Sequence, residues 1–267
     1  MRENKENEIL LQKAVAMKLI GIVAHWDELK GSSEITIEKI ITWEETERVN
    51  RSLERRLHSA RVGRFKPLSE FDWSWPKKCD SQAIGELMDL KFIKLAMNAI
   101  LCGPNGVGKS TIVKNIANNA VINGFTALFI TASQLLNDLA SIEGDNALRR
   151  KFQFYEKPDV LIIDEVGYLS YSTRHADLLF EIISRRYQKK PVIITTNKPF
   201  SQWNDIFPGA ACCVSLIDRL VHQSEIIVIE GESYRLKEAK EQSAKRNIAR
   251  QKSKAKNTNK NSEEIVC

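Results

Sequence analysis

Gly103-Pro104-Asn105-Gly106-Val107-Gly108-Lys109-Ser110 fulfils the pattern G-x-x-x-x-G-K-[ST], and its reading decides the fold. The glycines let the chain curl so that successive backbone N–H groups face phosphate oxygens, which side chains would otherwise block. Lys109 then reaches the β- and γ-phosphates, and the Ser110 hydroxyl helps to hold Mg²⁺. Apolar Ala99-Ile100-Leu101-Cys102 runs directly into the loop, and the stretch from Thr111 to Ala120 can form a helix. Strand, glycine loop and helix in that order aim a helix N-terminus at an anion. Residues Gly103 to Thr111 are therefore expected to cradle a nucleoside triphosphate.

Working outward, hydrolysis needs a metal contact and a group that activates water. Val160-Leu161-Ile162-Ile163 is a short continuous apolar run of the kind a buried parallel strand gives, and it ends in Asp164-Glu165. Two carboxylates at the end of a buried strand are costly without a charged partner, and Mg²⁺ supplies one. Asp164 is expected at the metal, with Glu165 orienting and polarising the attacking water. A third run, Val192-Ile193-Ile194-Thr195-Thr196, ends in Asn197. An uncharged side chain there can hold the water or the γ-phosphate without competing for the metal; a turn before Lys198-Pro199 is the plainer alternative.

These segments carry a resemblance. The phosphate loop, Pro158 to Leu169, and Ile193-Ile194-Thr195-Thr196-Asn197-Lys198-Pro199-Phe200 together resemble the IstB helper ATPases of bacterial insertion sequences, AAA+ proteins related to the DnaC helicase loaders. The likeness continues through Leu216 to Leu220, Gly231 to Leu236, Gly21 to Trp26 and Glu70 to Trp75, so it covers roughly residues 8 to 238. Thr111 stands where the family usually has His, with no chemical loss.

The resemblance implies an α/β AAA+ P-loop ATPase domain with a parallel five-stranded sheet, preceded by a small helical domain. It also implies that the strand carrying Asn197 lies between those carrying the phosphate loop and Asp164. The chain supports this independently. Helical stretches such as Leu10–Ala24 and Thr46–Val62 fill the first part, with Leu10, Ala14, Met17 and Gly21 on one helical face. Beyond residue 97, apolar runs at Ala99–Cys102, Ala127–Ile130, Val160–Ile163, Val192–Thr195 and Ile226–Ile229 alternate with helical stretches, the pattern of a parallel sheet covered on both faces. The expected division is a helical N-terminal domain at 1–66, a connector and start of the ATPase domain at 67–97, an ATPase core at 98–238, and a basic tail at 239–267. Phe65 to Ser81 reads as an irregular connector that packs either on the adenine or between the domains.

At 267 residues the chain can hold one sizeable domain and a smaller one. No run approaches a membrane span, and the polar start Met1 to Glu8 is not that of a secretory signal. The cysteines (Cys79, Cys102, Cys212, Cys213, Cys267) include no C-x-x-C, and His25, His58, His175 and His222 are scattered. Neither a disulfide framework nor a zinc site is expected, and a reduced cytoplasm is the natural setting.

The net charge of +6 is unevenly placed. Arg48, Arg51 and Arg55 are spaced to lie along one side of a helix, Arg149-Arg150-Lys151 precede the Asp164 strand, and Lys245 to Lys260 contains no acid. Each cluster alone reads as a solvated face; together, and on an ATPase of this resemblance, they point to double-stranded DNA held mainly through phosphates.

By resemblance, Arg219 stands at the position of an arginine finger that completes a neighbour's site, and Arg235 at that of a sensor touching its own subunit's γ-phosphate. Arg185 and Arg186 compete for the finger role. The resulting expectation is a cytoplasmic ATPase that assembles on DNA as an ATP-dependent homo-oligomer and assists a transposase. A helicase loader and a non-hydrolysing DNA scaffold are the alternatives.

Overall fold

A computed structural model describes residues 2–31, 37–244 and 246. The basic stretch Lys245 to Lys260, Arg246 apart, lies outside the described residues, as does Cys267.

The sheet is built from β1 (Asn98–Cys102), β2 (Ala127–Thr131), β3 (Val160–Val166), β4 (Val192–Thr196) and β5 (Ser224–Val228), all parallel, in the order β2-β3-β4-β1-β5. Both faces are buried along β1, β3 and β4, which explains why these strands read as continuous apolar runs, while Ile226 and Val228 of the edge strand β5 are exposed. Along β3 the residues alternate between two cores. Leu161 and Ile163 join one with Val192 and Ile194 of β4, while Val160 and Ile162 join the other with Ile193.

The first core is closed by α8 (Ala132–Ala140), α9 (Asp145–Glu156), α10 (Thr173–Arg186) and α12 (Cys213–Val221), with the short α11 (Trp203–Ile206) at its edge. The second is closed by α5 (Ser81–Met88), α6 (Lys91–Lys94) and α7 (Lys109–Ile122), the last starting inside the phosphate loop. The strand bearing Asn197 sits between those bearing the loop and Asp164.

The N-terminal part contains α1 (Arg2–Ala16), α2 (Ile20–Ala24), α3 (Trp26–Gly31) and the long α4 (Ile37–Ala60). The single helix expected over Leu10–Ala24 is broken instead, because Lys18 takes a left-handed φ of 58°. The expected face also divides: Ala14 and Gly21 are buried, but Leu10 and Met17 are exposed. Gly21 is selected by close approach, since a Cβ there would run into the α4 backbone at Trp43 and Glu44. The Glu44 carboxylate accepts the backbone N–H groups of Ile20 and Gly21, capping the start of α2. At its other end α4 delivers Ala60, with Val62 just beyond it, into the core beneath the sheet.

Candidate functional site

The phosphate loop leaves β1 at Cys102, where the Gly103 N–H donates to the Thr196 carbonyl at 3.1 Å. Gly108 has a φ of 100°, open to glycine, and a Cβ there would collide with the Phe71 ring. A Cβ on Gly106 would likewise meet Ser233. The loop is thus pressed between the connector and the segment after β5.

Lys109 is 4% exposed and donates to the carbonyls of Gly103 and Pro104 at 2.6 and 2.8 Å. Burial pulls its ammonium below the ordinary lysine range, with Asp164 opposing that shift. Ser110 Oγ donates to Asp164 Oδ1 at 3.1 Å, which joins the loop to the end of β3. This is a set of hard oxygen donors that suits Mg²⁺; such an ion takes few protein ligands beside phosphates and water. Among the described residues there is no larger acidic, His or Cys cluster that could hold a metal.

Asp164 and Glu165 are positioned by a residue whose role the sequence reading missed. Thr195, fully buried on β4, donates its hydroxyl to Asp164 Oδ1 and accepts the Glu165 N–H at 2.9 Å. The β3–β4 register shifts between Ile163 and Val166, and Glu165 adopts a left-handed φ of 65°. The bulge re-aims the carboxylate at the strand end, a common use of bulges at active sites. The available signal was Thr195-Thr196, two hydroxyls closing a strand otherwise filled by apolar side chains. Asn197 follows with its Oδ1 buried and lacking a hydrogen-bond partner, near the position a Cβ on Gly167 would occupy.

The cleft over the loop is lined by Gly106 to Thr111, Tyr168 and Arg235, and walled by the connector (Lys66, Pro67, Phe71, Asp72, Trp75) and by Tyr234 and Glu238. A helix over 234–244 carries the latter residues. The two walls are clamped together. Tyr234 N–H donates to the Gly106 carbonyl at 2.9 Å, and Trp75 Nε1 donates to the Glu232 carbonyl at 2.9 Å. Lys237 pairs with Asp72 at 3.1 Å and Lys66 with Glu238 at 2.5 Å. None of these contacts was read from the sequence; the three that join the connector to the segment after β5 span 157 to 172 positions.

The structure therefore brings Lys109, Ser110, Asp164 and Thr195 together and places Arg235 at the cleft. Arg219 lies elsewhere, on α12 against α10: its guanidinium stands 4.5 Å from the Phe180 ring and bonds Ser184 Oγ. Of its competitors, Arg185 pairs with Glu181 at 2.7 Å. Arg186 is 1% exposed and donates to the carbonyls of Tyr155, Glu156, Pro158, Asp159 and Pro191. Burial lowers its pKa to about 10, so it stays charged in a structural post. No helix among the described residues is long and apolar enough to cross a membrane.

Comparison with known proteins agrees with this geometry. The model of the IstB-like ATP binding protein family matches residues 9–243. The ATP-binding protein of insertion sequence IS5376 from Geobacillus stearothermophilus is 35% identical over 207 residues, covering 78% of this chain and 82% of that one. The IS21 ATP-binding protein of Pseudomonas aeruginosa is 38% identical over 191 residues, 72% of each chain. Among solved structures, DnaI superposes with a TM-score of 0.51 at 20% identity, covering 64% of this chain and 91% of its own. The replication initiator DnaA, bound to AMPPCP and single-stranded DNA, gives a TM-score of 0.50 at 17% identity over 67% of this chain and 57% of its own. The fold is that of the AAA+ ATPases, and the chain belongs to the IstB-like ATP-binding family.

Proposed function

We propose that this IstB-like ATPase assembles on double-stranded DNA in its ATP-bound form, assists the transposase of an insertion sequence, and lets go after hydrolysis. The single observation that carries the hydrolytic part is the continuous chain of contacts Ser110–Asp164–Thr195–Glu165. It ties the phosphate loop to the metal-side carboxylate and to the residue best placed to polarise water.

In this reading Lys109 leaves the Gly103 and Pro104 carbonyls for the β- and γ-phosphates, a trade of neutral partners for charged ones. Ser110 and Asp164 hold Mg²⁺, which when bound neutralises phosphate charge. Glu165 accepts a proton from the attacking water, and Asn197 Oδ1, buried and without a partner, accepts its second hydrogen. Arg235 meets the γ-phosphate from its own subunit. Arg219, remote from its own cleft, serves a neighbour's ATP, and loss of the γ-phosphate then loosens the assembly. Phe71 and Tyr234, on the two cleft walls, hold the adenine.

DNA is met mainly through phosphates. Arg48, Arg51 and Arg55 are all exposed along α4, and the insertion-sequence origin of the relatives supports a DNA partner. The test is ATP turnover with and without duplex DNA, alongside capture of the protein by the transposase or by a replicative helicase. DNA-stimulated turnover with transposase capture supports the proposal; helicase capture alone replaces the partner, and no turnover under any condition removes the hydrolytic role.

A further inference from the structure

Arg219 is held in a way that neither its helix nor the nucleotide cleft explains. The backbone at Arg219 and Leu220 is fixed by the buried Asn98, whose Nδ2 donates to the Leu220 carbonyl at 3.1 Å and reaches that of Arg219 at 3.5 Å, while its Oδ1 accepts the Val192 N–H at 2.9 Å. The Arg219 side chain lies along Phe180, Ser184 and Tyr187. These follow one another at helical i, i+4, i+7 spacing down one side of α10 and its C-cap. The guanidinium sits 4.5 Å from the Phe180 ring and 5.9 Å from the Tyr187 ring, and NH1 donates to Ser184 Oγ. Ser184 passes its own proton to the Phe180 carbonyl at 2.5 Å. Tyr187 is anchored from behind, its hydroxyl 3.1 Å from His222 Nδ1.

The absence of an acid matters here. Arg185, one residue further along α10, is neutralised by Glu181 at 2.7 Å and approached by Glu156 at 3.8 Å. Arg186 is consumed by five carbonyls. Arg219 alone of the three is held only by rings and a hydroxyl, with no carboxylate among the described residues at ion-pair distance. A ring face orients a guanidinium without cancelling its charge, and does so more weakly than a carboxylate or phosphate would hold it. A phosphate oxygen, offering a charge-assisted bond, wins that contest easily.

We propose that Phe180, Ser184 and Tyr187 form a positioning cradle that keeps Arg219 extended, charged and uncommitted at the subunit surface, ready for the γ-phosphate of an adjoining subunit. This rests on the reading above that Arg219 acts in trans.

The experiment compares Phe180→Leu, which keeps apolar packing but removes the ring face, with Phe180→Trp, which keeps one. Melting temperatures confirm folding, and Ser184→Ala serves as a second, milder variant. Phe180→Leu should bind an ATP analogue as the parent does, yet turn over ATP on DNA roughly three- to thirty-fold more slowly, with Ser184→Ala slowed less. Phe180→Trp, which keeps a ring face, should turn over ATP close to the parent rate and clearly faster than Phe180→Leu. Mixing then separates the two ideas. A Phe180→Leu subunit keeps a sound catalytic site, so Glu165→Gln subunits, which keep a sound Arg219, should restore its turnover. Arg219→Ala subunits should not. If Arg219→Ala mixed with Glu165→Gln regains nothing although the two co-assemble, the trans reading itself fails. If that pair recovers while Phe180→Leu matches the parent, matches Phe180→Trp, or is not rescued by Glu165→Gln, the cradle fails and the trans reading stands.

Discussion

Thr195 accepts the backbone N–H of Glu165 at 2.9 Å, and that bond replaces one the sheet would otherwise make. Because Glu165 sits at a φ of 65° in a bulge, its amide has left the β3–β4 ladder and needs a buried acceptor. The same hydroxyl donates to Asp164, so one side chain fixes both acids and satisfies two buried groups.

Thr195→Val should therefore do more than remove a methyl-sized polar atom. It strands the Glu165 amide and one lone pair of Asp164, at about 1–3 kcal/mol for each buried group left without a partner. We expect a lower unfolding midpoint and turnover reduced by at least tenfold, with ATP-analogue binding largely kept because Lys109 and Ser110 are intact. Thr195→Ser should restore both. Equal behaviour of the Val and Ser variants in turnover would remove Thr195 from the mechanism.

Lys109→Ala and Glu165→Gln should part company in a nucleotide-binding titration. The first deletes the ammonium that meets the phosphates, so ATP affinity and ATP-dependent assembly fall together. The second keeps shape and loses only the proton acceptor, giving a variant that binds ATP, stays assembled and hydrolyses little. Matching affinities for the two would overturn this division of roles.

The strands and the phosphate loop were legible because each depends on local pattern: apolar runs, a glycine motif, carboxylates at a strand end; the place of the Asn197 strand between the other two came from the family resemblance alone. What was not legible depends on long-range register. The break at Lys18 follows from how α2 docks on α4 through Gly21, which no periodicity in Leu10–Ala24 announces. The role of Thr195 needed the β3–β4 register, and the exclusion of Arg186 needed its burial beneath α9. The Lys237–Asp72 pair joins segments too far apart for any spacing rule.

That pair gives the third prediction. Asp72 is held below the usual carboxylate range first by the Ser74 hydroxyl and then by Lys237, and the clamp it forms walls the cleft. Lys237→Met should weaken ATP binding by roughly two- to fivefold with kcat little changed, and the difference should shrink at high salt, as for exposed ion pairs. The sign of the pH effect follows from the lowered pKa. The pair's contribution is complete above the unpaired Asp value of 3.8 and is lost only as pH falls below it. ATP affinity should thus show no Asp72-dependent change between about pH 6 and 8. A large kcat loss in Lys237→Met would mean that the clamp reaches the chemistry.

DNA binding supplies a fourth. Arg51→Ala and Arg55→Ala, on the exposed side of α4, should each lower the slope of log affinity against log salt by about one unit, equally for unrelated duplex sequences. Unchanged slopes would take the stripe off the DNA, and a sharp dependence on one short sequence would contradict phosphate contact altogether.

Arg186→Lys supplies the last, because it separates a structural arginine from a catalytic one. The guanidinium closes the C-terminal end of α9, whose final carbonyls have no partner within the helix, and it also ties that end to Pro191 before β4. A lysine has three donors on a single nitrogen and cannot span five carbonyls held in that fan. Buried acceptors would be left bare, at a total of about 3–5 kcal/mol, comparable to breaking a buried charged contact. For a domain of this size that lowers the melting temperature by roughly 6–20 °C. Below that temperature the folded fraction should bind ATP and hydrolyse it at the parent rate, since none of these carbonyls lines the cleft. A variant that melts like the parent but has lost its turnover would reverse the assignment and put Arg186, not Arg219, forward as the residue that serves a neighbour.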